Sequence, residues 1–321
     1  MKPENLVLAK EGIKREDYHF MPVAQIVEVG LRDGLQNETG ELSLKDRYQL
    51  VKKLSVSGLK RIELGSFVSP KAIPQMQCVP ELTKKVLLAQ RKGSLPKNTI
   101  YSAFVPNQKG FEKAAQCGLQ EISFFVSCTE SFSQKNINMS IKDSLKVLNF
   151  ICQKARSLKI KVRVYLSAAF ACPYEGNVAP AKVARLADRI MQEGVFELSV
   201  SDTIGVAVYT DVLSLMNPLL KKTPASKIAL HFHDTRGMAL ANVLAGLETG
   251  VKVFDASIGG LGGCPYAPGA SGNIATEDMV YMLEKMNFQT GVQISDLIKT
   301  THYLEKKLNR TLPAKLRLRA I

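Results

Sequence analysis

Short runs rich in β-branched and aromatic residues alternate along this chain with longer stretches whose apolar positions recur at helical spacing. That alternation is the signature of βα units on a parallel sheet. Strands are predicted at 24–29, 61–64, 99–104, 121–126, 161–166, 196–200, 227–233 and 252–257. Helices are predicted at 44–57, 80–91, 109–117, 141–157, 180–193, 209–220, 237–248 and 276–286. Ser43 and Pro180 supply start signals for two of them, and Gly58, Gly118, Gly194 and Gly250 supply stops. Eight strands, each followed by a helix, is the count of an α/β fold of the (β/α)8 TIM-barrel type. An open doubly wound sheet is the competitor. It would carry a glycine-rich phosphate fingerprint after an early strand, and neither GxGxxG nor GxxxxGK followed by Ser or Thr occurs. The expected organisation is a catalytic barrel over 1–290 with a short helical extension over 291–321.

Composition narrows the class. With 321 residues, 45% apolar and 22% charged, the chain is long enough for one barrel and too apolar to be disordered. No stretch approaches the roughly 20 apolar residues that span a bilayer, so no membrane partner is expected. The six cysteines (Cys78, Cys117, Cys128, Cys152, Cys172 and Cys264) lack CxxC spacing, which argues against a disulfide framework or a zinc knuckle. A net charge of +14 suggests nucleic acid at first. Six of the basic residues, however, crowd into the stretch from Lys306 to Arg319, and no basic run is interleaved with aromatics. A phosphate-bearing small ligand fits the remaining diffuse excess at least as well, and no nucleic-acid partner is expected.

In a barrel the chemistry collects at the carboxyl ends of the strands. The expected ends are Arg32-Asp33-Gly34 on the first strand, Glu63 and Ser66 on the second, and Tyr165 and Ser167 on the fifth. The sixth runs through Ser199 and Ser201 to Asp202-Thr203, and the seventh ends in His231-Phe232-His233-Asp234. Residues two apart on a strand share a face, so both imidazoles of His231-Phe232-His233 can reach one ion, with Asp33 as a possible third ligand. Hydrogen-bonded core histidines are the bland alternative. Imidazole and oxygen donors without thiolates favour Mg2+ or Mn2+ over structural zinc. Arg32 beside such an ion is a permanent cation suited to a developing enolate, and Glu63, inside an apolar run, needs a partner such as an arginine. The loop from Gly259 to Asn273 holds six glycines in fifteen residues and could cover a ligand. Cys264 within it is a candidate acid/base thiol, while the other five cysteines are assigned to packing.

Six stretches together resemble the 3-hydroxy-3-methylglutaryl-CoA lyase family: 29–38 (through Arg32-Asp33), 66–71, 172–176, Asp202-Thr203-Ile204-Gly205, His231-Phe232-His233-Asp234 and the cysteine loop from Gly260 to Tyr266. The His-x-His and Arg-Asp pieces are shared with wider metal-dependent aldolase and carboxyltransferase barrels, whereas the cysteine loop through Asp278 is more specific. The resemblance implies Mg2+ or Mn2+ bound by Asp33, His231, His233 and Asn273. It implies that Arg32 stabilises the enolate, that Glu63 and Asp202 shape the acid/base network, that His231 is the ligand nearest the chemistry, and that Cys264 takes part in proton transfer. Tyr165, Ser199 and Glu277 match positions near substrate. The implied reaction cleaves hydroxymethylglutaryl-CoA, an acyl-CoA substrate, to acetyl-CoA and acetoacetate, as in leucine degradation and ketone-body formation, in a homodimeric enzyme. Leu31, Gly65 and Ser201 depart from the usual pattern beside functional residues, without removing a chemical group.

A condensing relative such as a citramalate or isopropylmalate synthase would need an accessory tail that about 30 residues after Gln293 cannot hold. A lyase for a longer branched acyl-CoA differs by only a few pocket residues, and a nucleic-acid-binding barrel is the alternative from another class. Four acids in the first twenty residues and the ending Arg317-Leu318-Arg319-Ala320-Ile321 speak against organelle targeting, which leaves a cytoplasmic location as the expectation.

Overall fold

A computed structural model describes residues 21–38, 40–71, 73–264 and 267–318, with the backbone alone at 37, 263, 264 and 267–271. Eight parallel strands close on themselves: β1 (Gln25–Glu28), β2 (Arg61–Ser66), β3 (Ile100–Phe104), β4 (Glu121–Ser127), β5 (Lys161–Ser167), β6 (Glu197–Asp202), β7 (Ile228–Phe232) and β8 (Val253–Ala256). Closure is made where β1 pairs with both β8 (Gln25 opposite Val253) and β2 (Val27 opposite Arg61). The (β/α)8 barrel is therefore the fold, and an open sheet is excluded.

The strands are covered on both faces, which is why they read as short, nearly continuous buried runs. Ile62, Leu64, Val162, Val164, Leu198 and Val200 are wholly or nearly buried. They alternate with polar residues that the two-residue period turns to the opposite face. Around the barrel run α1 (Leu44–Val56), α2 (Val79–Arg91), α3 (Gln108–Gln116), α4 (Glu130–Ile137), α5 (Ile141–Ser157), α6 (Pro180–Gln192), α7 (Tyr209–Leu220), α8 (Ala239–Glu248) and α9 (Thr276–Lys285). Ser43 caps α1 by accepting the Asp46 N–H at 3.1 Å, and Pro180 opens α6, where its missing N–H costs nothing.

The chain after α9 forms α10 (Ile294–Leu308), which packs against α1 and α9. Tyr303 Oη donates to Asp46 Oδ1 at 3.0 Å, and Lys307 Nζ lies 2.8 Å from the same oxygen. Beyond it, Arg310 grips the Glu38 carboxylate, and Ala314 N–H donates to the Gly259 carbonyl at 3.0 Å. The carboxyl-terminal stretch thus touches the connections that follow both β1 and β8, at the mouth where the polar residues gather.

Candidate active site

β1 stops at Glu28, and Gly30–Gly34 forms one wide helical turn in which the N–H groups of Arg32, Asp33 and Gly34 converge on the Val29 carbonyl at 3.0, 2.8 and 3.4 Å. Arg32 and Asp33 thus stand in a turn just beyond the strand expected over 24–29. Neighbours on a strand point to opposite faces, whereas the turn lets both side chains meet. Arg32 Nη1 lies 2.6 Å from Asp33 Oδ1, and its Nε lies 2.6 Å from Glu63 Oε2 on β2. The Arg32 and Asp33 side chains are only 10% and 13% exposed, so the pair is not a solvated surface contact. The guanidinium sits over the Tyr165 ring at 4.5 Å and near Phe104 at 5.6 Å, and its Nη2 is buried with no hydrogen-bond partner among the described residues. Glu63 also accepts from Tyr165 Oη at 3.1 Å and from the Ser123 hydroxyl.

Opposite this group, β7 supplies His231, and the next residue but one, His233, makes a single antiparallel bridge with Asn273 as the loop returns from β8. The Nε2 atoms of His231 and His233 lie 3.8 and 3.5 Å from Asp33 Oδ2. One ligand-capable atom from each of Asp33, His231 and His233 lies within 4.8 Å of the others, which makes the three a candidate metal site. Asn273 Nδ2 donates to Asp33 Oδ2 at 3.0 Å and to the Leu261 carbonyl at 3.2 Å, leaving Oδ1 buried without a partner among the described residues. Burial alone would raise the Asp33 carboxyl, but the Arg32 guanidinium, then the two imidazoles, hold it well below the usual carboxylate range. Two imidazole nitrogens, an ionised carboxylate and an unpaired amide oxygen fit a divalent ion.

The charge of the surrounding interior fits the same valence. Contacts run unbroken from Glu121 through Arg61, Glu197, Arg163, Asp255, His231, Asp33 and Arg32 to Glu63. With neutral imidazoles, that chain sets three guanidinium groups against five carboxylates, and a divalent cation closes the difference. Arg61, Glu121, Arg163, Glu197 and Asp255 escaped the sequence reading. Arg61, Arg163 and Glu197 each stand two residues before a residue that was singled out (Glu63, Tyr165 and Ser199), but nothing in the strand shows what each charge pairs with, and Glu121 and Asp255 have no such neighbour.

The remaining expected residues are placed variously. Ser199 donates to Asp255 Oδ2 at 2.8 Å, one contact removed from His231. Asp202 turns toward the β6–α7 connection, where its two oxygens accept the Val206 and Ala207 N–H groups at 3.1 and 2.9 Å, and burial raises its carboxyl. Glu277 is fully buried behind the loop and accepts from Gly259 N–H at 2.9 Å and from the Thr301 hydroxyl of α10, so its described contacts are with the loop and the extension. The Cys264 backbone pairs with Ala267 in a short hairpin, and its side chain lies outside the described part, as do Pro265 and Tyr266 of the same motif. Of the other cysteines, Cys117, Cys128, Cys152 and Cys172 are buried and Cys78 is half-buried.

The glycines of that loop are where backbone freedom is required. Gly259 has φ +67, and a Cβ there would lie 2.5 Å from Leu312 Cδ1 of the extension. Gly262 has φ +124, and a Cβ there would lie 2.8 Å from the Asn273 amide.

The HMGL-like family model matches residues 23–304. A 3-hydroxy-3-isohexenylglutaryl-CoA/hydroxy-methylglutaryl-CoA lyase of Pseudomonas aeruginosa is 45% identical over 274 residues, covering 85% of this chain and 89% of that protein. The crystal structure of a Bacillus subtilis HMG-CoA lyase superposes with a TM-score of 0.88 at 44% identity, covering 92% of this chain and 98% of that one. An Acinetobacter baumannii HMG-CoA lyase, solved with coenzyme A and 3-methylmalate, gives 0.86 at 33% identity, over 94% and 99% of the two chains. On sequence and structure alike, this chain belongs to the HMGL-like family of lyases.

Proposed function

We propose that this protein cleaves 3-hydroxy-3-methylglutaryl-CoA to acetyl-CoA and acetoacetate, using Mg2+ or Mn2+ held by Asp33, His231, His233 and Asn273. The observation that carries the reading is the convergence of both imidazole Nε2 atoms on Asp33 Oδ2 beside a buried arginine whose Nη2 has no hydrogen-bond partner among the described residues. A divalent ion held there would supply Lewis acidity to the tertiary hydroxyl of the substrate. The protein's own groups do the rest. Arg32 is locked by Glu63 on one edge and Asp33 on another, which leaves Nη2 to meet the oxygen of the thioester enolate as the carbon–carbon bond breaks. Glu63, shared with Tyr165 and Ser123, fixes that guanidinium, while Asp202 orders the connection after β6. The tertiary hydroxyl gives its proton to a base of the network assigned to Glu63 and Asp202 as the ketone of acetoacetate forms, and Cys264 on the glycine loop is assigned the proton that converts the enolate to acetyl-CoA. Ser199 and Glu277 then act on substrate through the groups they hold.

A second reading has its own support, because one relative at 45% identity is named for both hydroxymethylglutaryl-CoA and a longer isohexenyl homologue. The test for both is product analysis with each thioester and either ion. Acetoacetate from hydroxymethylglutaryl-CoA supports the proposal. Cleavage of the branched homologue alone would move the substrate assignment and leave the chemistry standing. The proposed enzyme is a homodimer, which light scattering checks, and its cytoplasmic location rests on the terminal sequences alone. Among the described residues no helix is long and apolar enough to cross a membrane.

A further inference from the structure

His231 is bracketed by two carboxylates. Its Nε2 faces Asp33 Oδ2 at 3.8 Å, and its Nδ1 faces Asp255 Oδ2 at 3.3 Å. Asp255 sits on β8 directly opposite His231 in the β7–β8 register, and its side chain is fully buried. It is itself held firmly, by Arg163 Nη2 at 2.6 Å on Oδ1, and by Arg163 Nη1 at 3.2 Å and Ser199 Oγ at 2.8 Å on Oδ2. Arg163 is anchored in turn by Glu197 at 2.5 Å, and its guanidinium lies over the Tyr165 ring at 5.0 Å. Tyr165 packs edge-on to the His231 ring at 6.0 Å. The imidazole therefore has a carboxylate near each nitrogen, Nδ1 being buried with no hydrogen bond formed among the described residues, and an aromatic wall on one side.

Only one tautomer suits both neighbours. A carboxylate held by an arginine and a serine offers Nδ1 an acceptor and no donor, so the single proton of a neutral imidazole belongs on Nδ1. The lone pair is then left on Nε2, facing Asp33 and the ion position. We propose that Asp255 is a positioning residue: braced by Arg163 and Ser199, it fixes the tautomer and ring orientation of His231 and so sets the affinity of the site for its divalent ion. The inference rests on the metal reading above and adds to it a residue outside the ligand set. Carboxylates placed behind ligating imidazoles commonly tune affinity in this way, and their loss costs about 10–100-fold.

Two measurements on the full-length chain test this. Long-range 1H–15N spectra of the imidazoles, assignable by substitution because the chain has four histidines, read the tautomer directly. Wild-type His231 protonated on Nδ1, without metal, is the expected result; a proton on Nε2 overturns the proposal without any variant. Manganese binding, followed by the electron paramagnetic resonance of free Mn2+, is then compared for wild type and Asp255→Asn. The amide keeps an acceptor for Arg163 but can face Nδ1 with either a donor or an acceptor. The expected result is a mixed tautomer and Mn2+ affinity lower by about 10–100-fold. Equal affinity in a folded Asp255→Asn overturns the inference alone, whereas no Mn2+ binding by the wild type overturns the metal reading from which it follows.

Discussion

At the scale of single residues, Arg32 shows how position gives an ordinary side chain the fixed geometry that the proposed role requires. Its Nε and Nη1 are committed to Glu63 and Asp33, so the chain has fixed the cation before any substrate arrives. Arg32→Gln is expected to leave Mn2+ binding nearly intact while lowering kcat by about 10^2–10^3-fold, the range for loss of one charge-stabilising donor. A proportionate loss of ion affinity in the same variant would contradict that division of labour. Two other buried carboxyls make a prediction about pH. Burial raises Glu28 and Glu277 from 4.5 to about 7, despite hydrogen bonds from Gly30, Ile258 and Thr276 to the first and from Gly259 and Thr301 to the second. Below pH 4.5 folded and unfolded chains both hold these protons. Between 4.5 and about 7 the unfolded chain releases them first, so their contribution to stability falls as pH rises through that window and then levels off. Asp33 and Asp255 act in the opposite sense, since both are held low in the fold and lose their contribution as pH drops. Urea unfolding should therefore show less stability at pH 8 than at pH 5. The Glu28→Gln variant should flatten that difference, and an unchanged slope in it would rule out the assignment. Of these residues, His231 and His233 were legible from their spacing and Asp33 from its place after the first strand. Asp255 and Arg163 were not, because a lone charge in a strand does not disclose which strand answers it.

The elements tell a similar story with different failures. Eight strands and the eight helices paired with them were legible from hydrophobic period, since each is long or strongly patterned. The helix Glu130–Ile137 was missed because it buries only Phe132 and Ser133 and has no apolar stripe to detect. The turn Gly30–Gly34 falls just after the strand expected over 24–29, but its wide helical form was not legible, because five residues, two of them glycine, carry no period at all. The β8–α9 loop was legible as a loop, but not its moorings. Glu28 accepts Ile258 N–H, Glu277 accepts Gly259 N–H, and Ala314 donates to the Gly259 carbonyl. Gly259→Ala forces a side chain into a left-handed backbone and against Leu312, so a loss of about 1–3 kcal/mol is expected. Chemical denaturation measures it, and a neutral effect would show that the loop and the extension are not joined as described.

For the whole molecule, the barrel interior is where fold and function meet. Its lower part is a buried lattice in which Arg61 joins Glu121 to Glu197 and Arg163 joins Glu197 to Asp255. Removing the shared carboxylate with Glu197→Ala leaves two buried guanidiniums short of a partner, and a loss of about 3–5 kcal/mol in unfolding free energy follows. A change below about 1 kcal/mol, within the range of exposed pairs, would contradict the buried reading. The same interior carries more carboxylates than guanidiniums although the chain as a whole is +14, so the basic excess lies outside the strand-lined centre. The central claim is that the ion at Asp33, His231 and His233 is needed for carbon–carbon cleavage. Its most direct test is acetoacetate formation from hydroxymethylglutaryl-CoA by wild type and His233→Ala, each stripped with chelator and titrated with Mn2+. Activity restored in the wild type and absent from the variant at every concentration is the predicted result; equal activity of the two, or wild-type turnover that survives complete chelation, would contradict it.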